Sequence, residues 1–284
     1  MKLWLVQMQP RLLDKEGNLE KIKGYLTQAI QNKVDLVAFP ELALTGYACH
    51  EKFYDLAEPI VGRSTEQIIS MLKGTTTYVI MGLPELKGVY LYNSAVVIGA
   101  EGVVSVYRKL FLATSWSPSA LFDEGMFFRP GTEIVTPELQ CGKIGIEICR
   151  DINYPEITRT QAYLGALLFI CISAAPMTSV GDVSLRERFQ ILGRARAVEN
   201  CAWYGYVNQA GKDKDAQTYA GGSFIASYSG QVVKSASAGD NAREEVIEHD
   251  VDMEEVIRAR IVYPHLREAR PGILGSEIEA MLSL

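Results

Sequence analysis

Short, nearly continuous apolar runs recur along this chain, and stretches with apolar residues at helical spacing lie between many of them. Runs of about six residues are too short for buried helices and have the length of strands covered on both faces. Alternation of the two patterns from end to end calls for an α/β fold. Leu3–Met8 and Val34–Phe39 read as buried strands. Between them Leu19, Ile22, Leu26, Ala29 and Ile30 recur at helical spacing behind Asn18, a candidate N-cap. A helix over Thr65–Lys73 leads to a strand at Tyr78–Gly82, and Ser94–Gly99 with Val103–Tyr107 reads as a hairpin about Ala100-Glu101-Gly102.

The scheme then repeats. Lys143–Ile148, Leu167–Ile172 and Trp203–Asn208 read as strands, separated by helices from Pro155 to about Leu164 and over Leu185–Glu199. Pro155 suits a first helical turn and Glu156 the positive end of its dipole. Ser223–Ser227, Gln231–Ser235 and Glu245–Val251 are hairpin-like, with a turn at Ser229-Gly230, before a helix over Glu254–Val262. With no internal repeat, low-complexity tract or linker, residues 1–284 read as one domain with two mixed sheets between helix layers. The one long irregular stretch, Ala113–Thr132, is a candidate active-site loop.

Composition narrows the function. The formal net charge is −6 and no basic run occurs, which argues against nucleic acid and acidic membrane as partners. The acidic stretch from Glu244 to Glu255 reads as a solvated surface. No run reaches the roughly 18 apolar residues of a membrane span, and the N-terminus carries no basic leader. Five scattered cysteines suggest reduced thiols and a cytoplasmic setting. Three histidines, at 50, 249 and 265, lie far apart and without zinc-ligand spacing, so no zinc site is expected.

In open α/β sheets ligands sit beyond the carboxyl ends of the strands. Three polar residues occupy such positions: Glu41, Lys109 and Cys149. Singly, each has a plainer reading as a loop acid, a solvated lysine and a small core thiol. Together their chemistries are complementary. A thiol attacks as thiolate and needs a base or a nearby positive charge. A carboxylate in a dry pocket can take that proton and return it to a leaving amine. An ammonium group, with a backbone N–H just after the nucleophile, can hold the oxyanion. A peptidase-like pair of Cys49 and His50 is the competing arrangement, and neighbours on a strand would face opposite ways.

These residues, with their surroundings, resemble the nitrilase superfamily of carbon–nitrogen hydrolases. The matching pieces are Phe39-Pro40-Glu41, Tyr107-Arg108-Lys109, and Gly145 through Asp151 running into Tyr154-Pro155-Glu156. Phe122-Asp123-Glu124 with Phe128-Arg129-Pro130-Gly131, Arg194 through Asn200, Asn208-Gln209 and Arg270-Pro271 follow in the family's order. The resemblance implies an α-β-β-α sandwich that forms a homodimer or a higher homo-oligomer. It implies Glu41 as general base, Lys109 as oxyanion stabiliser, Cys149 as nucleophile and Glu124 as a second glutamate orienting substrate and lysine. It implies no cofactor and a small-molecule substrate. The reaction expected first is amide hydrolysis, with N-carbamoyl and nitrile hydrolysis as alternatives and a non-catalytic assembly module behind them. The Arg150 N–H is expected to join Lys109 at the oxyanion.

Departures from the family pattern bear on the substrate. Phe111 stands where many members carry histidine. Asn153 stands where members acting on carboxylated substrates often carry arginine, leaving Arg150 or Arg129 as possible substitutes. Tyr154 adjoins it as a further candidate pocket residue. Glu147, two residues before Cys149 on one strand, should face the same way. It is expected either to pair with Arg194 or Arg196, or to line the pocket and select a cationic substrate. Asp151 and Glu156 read as structural, and Asp182 as a surface loop acid.

Overall fold

The computed structural model describes residues 1–114, 123–214, 217–270, 272–273 and 275. In the first half the order is β1 (Lys2–Gln7), α1 (Lys15–Gln31), β2 (Leu36–Ala38), α2 (Phe53–Leu56), α3 (Arg63–Leu72), β3 (Tyr78–Lys87), β4 (Tyr90–Gly99) and β5 (Gly102–Arg108). The second half runs β6 (Glu138–Leu139), β7 (Gly142–Ile148), α4 (Pro155–Tyr163), β8 (Leu168–Ser173), β9 (Ser179–Val180), β10 (Val183–Ser184), α5 (Leu185–Asn200) and β11 (Trp203–Asn208). It closes with β12 (Ala210–Lys212), β13 (Thr218–Ala220), β14 (Phe224–Ala226), β15 (Val232–Ser235), β16 (Glu245–Asp250), α6 (Met253–Val262) and α7 (His265–Glu268).

Two six-stranded sheets carry the architecture, ordered β16-β1-β2-β3-β4-β5 and β15-β14-β11-β8-β7-β6. Each has a parallel centre, β1-β2-β3 in one and β7-β8-β11 in the other, flanked by antiparallel strands. The sheets face each other because strand side chains alternate. Leu3 and Leu5 of β1 join Ile144, Ile146 and Ile148 of β7 and Ile170 of β8 in the central core. Trp4 and Val6 point outward against Leu19, Ile22 and Leu26 of α1. On the far side, Phe169, Tyr204 and Tyr206 pack under Phe189 and Ala197 of α5. The layers are therefore α-β-β-α, with each fully buried Leu or Ile contributing about 1.5–3 kcal/mol of apolar transfer.

Several local readings change. Helix α1 begins earlier than expected, and Asp14 rather than Asn18 caps it by accepting from the Gly17 N–H. Asn18 is fully buried, and its side chain instead ties the Arg11 and Leu44 backbones together. Strand β3 continues past Gly82 to Lys87, so β3 and β4 form a long hairpin turning at Gly88, with Pro84 opposite Asn93. The C-terminal strands divide: β14 and β15 extend the second sheet, whereas β16 crosses to pair with β1 in the first. Among the described residues no helix is long and apolar enough to cross a membrane.

Candidate active site

Glu41, Lys109 and Glu124 meet as one buried cluster although the outer two are 83 positions apart, and all three are wholly inaccessible to solvent. Each is delivered by a strand end or tight turn. Lys109 directly follows β5, where its backbone N–H donates to the Asn93 carbonyl. Glu41 sits in the turn after β2, next to Leu42 in the left-handed region at φ +48°. That turn packs so closely on β3 that a Cβ at Gly82 would come within 2.5 Å of the Leu42 nitrogen and the Pro40 carbonyl oxygen. Glycine is the residue that permits this approach. Glu124 opens a short 3-10 turn capped by the Asp123 side chain.

The Lys109 ammonium donates to Glu41 Oε1 and to Glu124 Oε1, both at 2.7 Å. Glu41 is held further by the Asn93 amide at 2.7 Å and the Ala174 N–H at 2.9 Å, while Gln209 donates to its backbone carbonyl. Glu124 accepts from the Tyr47 hydroxyl at 2.6 Å and the Ala113 N–H at 2.8 Å. Burial of this kind is tolerable because every charge is paired and hydrogen-bonded. Burial is the largest influence on Lys109 and would lower its pKa, yet the two carboxylates outweigh it and hold the ammonium well above its usual range. Glu41 is raised, chiefly by burial and by Glu124, against the pull of Lys109 and Asn93.

Cys149 begins the 3-10 turn Cys149–Asn153 directly after β7 and adopts φ +49°. A left-handed cysteine marks a sharp strand-to-helix turn and a local backbone strain. Asp151 fastens that turn, accepting from the Tyr107 hydroxyl and the Ile148 N–H with one oxygen and from the Phe111 N–H with the other. Burial and then Glu41 push the Cys149 thiol up to about 12, against opposing effects from Lys109 and a hydrogen bond from Ser173. Cys149 consequently rests as a neutral thiol beside a carboxylate.

A cavity of about 360 Å³ opens on Cys149 and is lined also by Tyr47, Arg150, Asn153, Tyr154 and Arg188. A larger groove of about 740 Å³ lies at the opposite ends of the strands, lined by Met1, Asp35, Tyr78 and Asp252 among others, and contains none of these residues. Asn153 and Tyr154 line this cavity, with Tyr154 stacked on Phe111 at 3.4 Å between ring centroids.

Glu147 departs from both expectations. It is fully buried behind the site, where Oε2 accepts from the Tyr204 hydroxyl at 2.7 Å and Oε1 has no partner among the described residues. Arg196 is spent on the Ile152 carbonyl and Glu199, and Arg194 on the Gly230 carbonyl, so neither arginine pairs with it. It does not line the cavity, which removes the basis for cation selection. Burial instead drives its pKa to about 8. Arg129 also lies elsewhere, its guanidinium 3.6 Å over the Tyr90 ring. Cys49 is buried with its thiol donating to the Thr45 and Gly46 carbonyls, and burial raises it to about 12. It belongs to a separate apolar cluster with Phe53 and Leu91. Asp182 is exposed between the two short strands β9 and β10. Phe122, Pro271 and residues 115–122 of the expected loop lie outside the described residues.

Tyr47, Asn93, Ala174 and Arg188 were not foreseen, and Gln209 was singled out only as part of a matching segment, with no contact to Glu41 expected. The Ala174 amide reaches Glu41 from 133 positions away, which no local pattern announces. Tyr47 lies six positions after Glu41, the one local signal available, and nothing in the sequence around Asn93 points to Glu41.

A four-layer sandwich with a buried Glu-Lys-Glu cluster beside a cysteine at a strained turn defines a hydrolase of the thiol-nucleophile kind. The carbon-nitrogen hydrolase family model matches residues 2–261, and the chain belongs to that family. It is 31% identical to an (R)-stereoselective amidase of a Pseudomonas species over 98% of this chain and 95% of that protein. It is likewise 31% identical to a glutamine-dependent NAD(+) synthetase of Aquifex aeolicus, aligning in full with 48% of it, so the chain spans about half that relative. Among solved structures, an amidase from Nesterenkonia sp. AN1 superposes with a TM-score of 0.79 at 21% identity, covering 97% of this chain and 96% of that one. That structure is of a glutamate-to-glutamine mutant and carries the acetamide moiety of fluoroacetamide on its active-site cysteine.

Proposed function

We propose that this enzyme hydrolyses the carbon–nitrogen bond of small amides, with Cys149 as nucleophile, Glu41 as general base and acid, and Lys109 as oxyanion donor. The observation carrying the reading is the Lys109 ammonium fixed at 2.7 Å from both Glu41 and Glu124, next to a cysteine whose turn opens on a cavity. Because the thiol rests protonated, its proton passes to Glu41 as sulfur bonds to the amide carbon. The amide π electrons move to oxygen, and Lys109 with the Arg150 N–H neutralises the oxyanion. Collapse expels the nitrogen, which takes its proton from Glu41 and leaves as ammonia, giving a thioester. Glu41 then deprotonates a water, which attacks the thioester and releases the carboxylic acid and the Cys149 thiol. Glu124 and Tyr47 hold Lys109 in place throughout.

The test is ammonia release from a panel of small amides, N-carbamoyl compounds and nitriles. Cys149→Ala is expected to abolish release with the fold intact, and equal activity in that variant refutes the scheme. The ammonia-to-acid-to-carbon-dioxide ratio separates amides from carbamoyl compounds.

A further inference from the structure

Cys149 has a polar neighbour to which the reaction scheme assigns no task. Strands β7 and β8 run in parallel with Ile148 beside Ile172, so Cys149 and Ser173 come side by side at their carboxyl ends. Ser173 is wholly buried, and its hydroxyl hydrogen-bonds the Cys149 sulfur. Behind it stands Tyr206 of β11, whose hydroxyl donates to Ser173 Oγ at 3.0 Å. That bond uses the serine oxygen as acceptor, and no oxygen or nitrogen takes the serine proton among the described residues, which leaves the sulfur as its acceptor. The tyrosine is fixed in turn: it is buried, edge-on to Phe189 at 5.6 Å and stacked on Phe224 at 5.4 Å between ring centroids. Burial and then the neighbouring Cys149 hold its pKa well above the usual phenol range, so it stays a donor. Glu41 and Lys109 thus reach the sulfur from strands of the first sheet, and this pair of hydroxyls from the second. Neither hydroxyl residue lines the cavity, so the contact is with the nucleophile rather than with substrate.

We propose that Ser173 is a further catalytic residue, its hydroxyl donating to the Cys149 sulfur wherever that sulfur carries negative charge, and that Tyr206 is its positioning residue. Sulfur is anionic at two points. The first is as its proton passes to Glu41, before the carbon–sulfur bond is complete. The second is as the adduct of water with the thioester expels it, before Glu41 returns a proton. The serine keeps its own O–H bond throughout, so it neither gains nor loses a proton. A hydrogen bond to an ion is roughly twice as strong as one between neutral groups, so the contact favours thiolate over thiol. That help is needed here, because burial and then Glu41 push the thiol up to about 12 while Lys109 is shared between two carboxylates. The part in turnover rests on the amide-hydrolase reading, whereas the hold on sulfur does not.

The experiment compares Ser173→Ala, Tyr206→Phe and Thr77→Val with wild type. Thr77 is the control, a buried hydroxyl ahead of β3 that donates to the Val34 carbonyl at 2.8 Å. Two quantities are read: the rate at which iodoacetamide alkylates Cys149, followed on the Cys149 peptide from neutral pH to about pH 9, and kcat for the amide that releases ammonia fastest. Loss of a hydrogen bond to a charged group should lower the thiolate population about tenfold or more in Ser173→Ala, and kcat by a similar factor. Alkylation should fall about threefold or more at every pH, because a sulfur of higher pKa is the better nucleophile once ionised. Tyr206→Phe frees the serine to turn and should give a smaller fall in both quantities, and Thr77→Val should leave both unchanged. Unchanged alkylation in Ser173→Ala overturns the proposal, as does an equal fall in Thr77→Val, which would mark a general loosening. Slower alkylation with wild-type kcat overturns the catalytic role. If Ser173→Ala does not fold, Tyr206→Phe decides, and unchanged alkylation in it overturns the proposal. Slower alkylation in Ser173→Ala, in a protein that turns over no amide, upholds the hold on sulfur while the hydrolase reading fails.

Discussion

Glu147→Gln should make this protein more stable, and the gain should depend on pH in a calculable way. Glu147 is fully buried, one oxygen accepts from Tyr204 and the other lacks a partner, so its charged form is disfavoured in the fold. Its pKa rises from 4.5 to about 8 on folding, chiefly by burial. Between those values the native chain holds a proton that the unfolded chain has released. Stability therefore falls as pH rises through this window, by about 1.4 kcal/mol per pH unit, and levels off above it. The accumulated loss is about 3 kcal/mol at pH 7 and about 5 kcal/mol above pH 8. Glutamine is nearly isosteric, keeps an acceptor for the Tyr204 hydroxyl and never ionises. Urea unfolding of both proteins from pH 5 to 9 should show curves that nearly meet at the acid end and separate steadily until about pH 8. A difference that is constant across that range would refute the reasoning, since it would mean Glu147 does not titrate there.

Four further outcomes follow from the site. Alkylation of Cys149 by iodoacetamide should accelerate with pH without a plateau below pH 10, because the thiol is held up to about 12; a plateau near pH 7 would mean a resting thiolate. Lys109→Met should leave Glu41 and Glu124 buried without their cation and destabilise by about 3–5 kcal/mol, as measured by denaturation. Gly82→Ala should push the Glu41 turn off β3 and lower kcat far more than it alters KM. Tyr47→Phe removes one donor to Glu124 and should reduce kcat about tenfold, the scale of a hydrogen bond to a charged group.

The legible part of the protein was what periodicity and chemistry encode. Apolar runs such as Ile144–Ile148 and Leu168–Ile172 could only be buried strands, and complementary groups at three strand ends picked out Glu41, Lys109 and Cys149. What escaped was set by tertiary contact. Asn18 has the side chain of a cap, but the Leu44 carbonyl lies within its reach and Asp14 takes the helix end. Strand β3 looked finished at Gly82 because Pro84 and Glu85 interrupt the apolar run, yet Glu85 is neutralised by Arg108 and accepts a hydrogen bond from Ser94 across the sheet. Glu147 was expected either to meet an arginine or to line the pocket, but the arginines on α5 hold backbone carbonyls and the Tyr204 hydroxyl holds Glu147 behind the site. Arg188 of α5 reaches the Asn153 side chain, a contact that only the packing of that helix over the second sheet reveals.

The division of labour between the halves of the chain has a practical consequence. Glu41, Lys109 and Glu124 arise before residue 133, and Cys149 after it, so neither half alone assembles the reacting groups. The halves are fastened twice, by the core between the sheets and by β16 lying along β1. A chain severed near residue 133 would yield two silent fragments, and ammonia release regained on mixing them would register their reunion. The enzyme is in this sense built as its own split reporter.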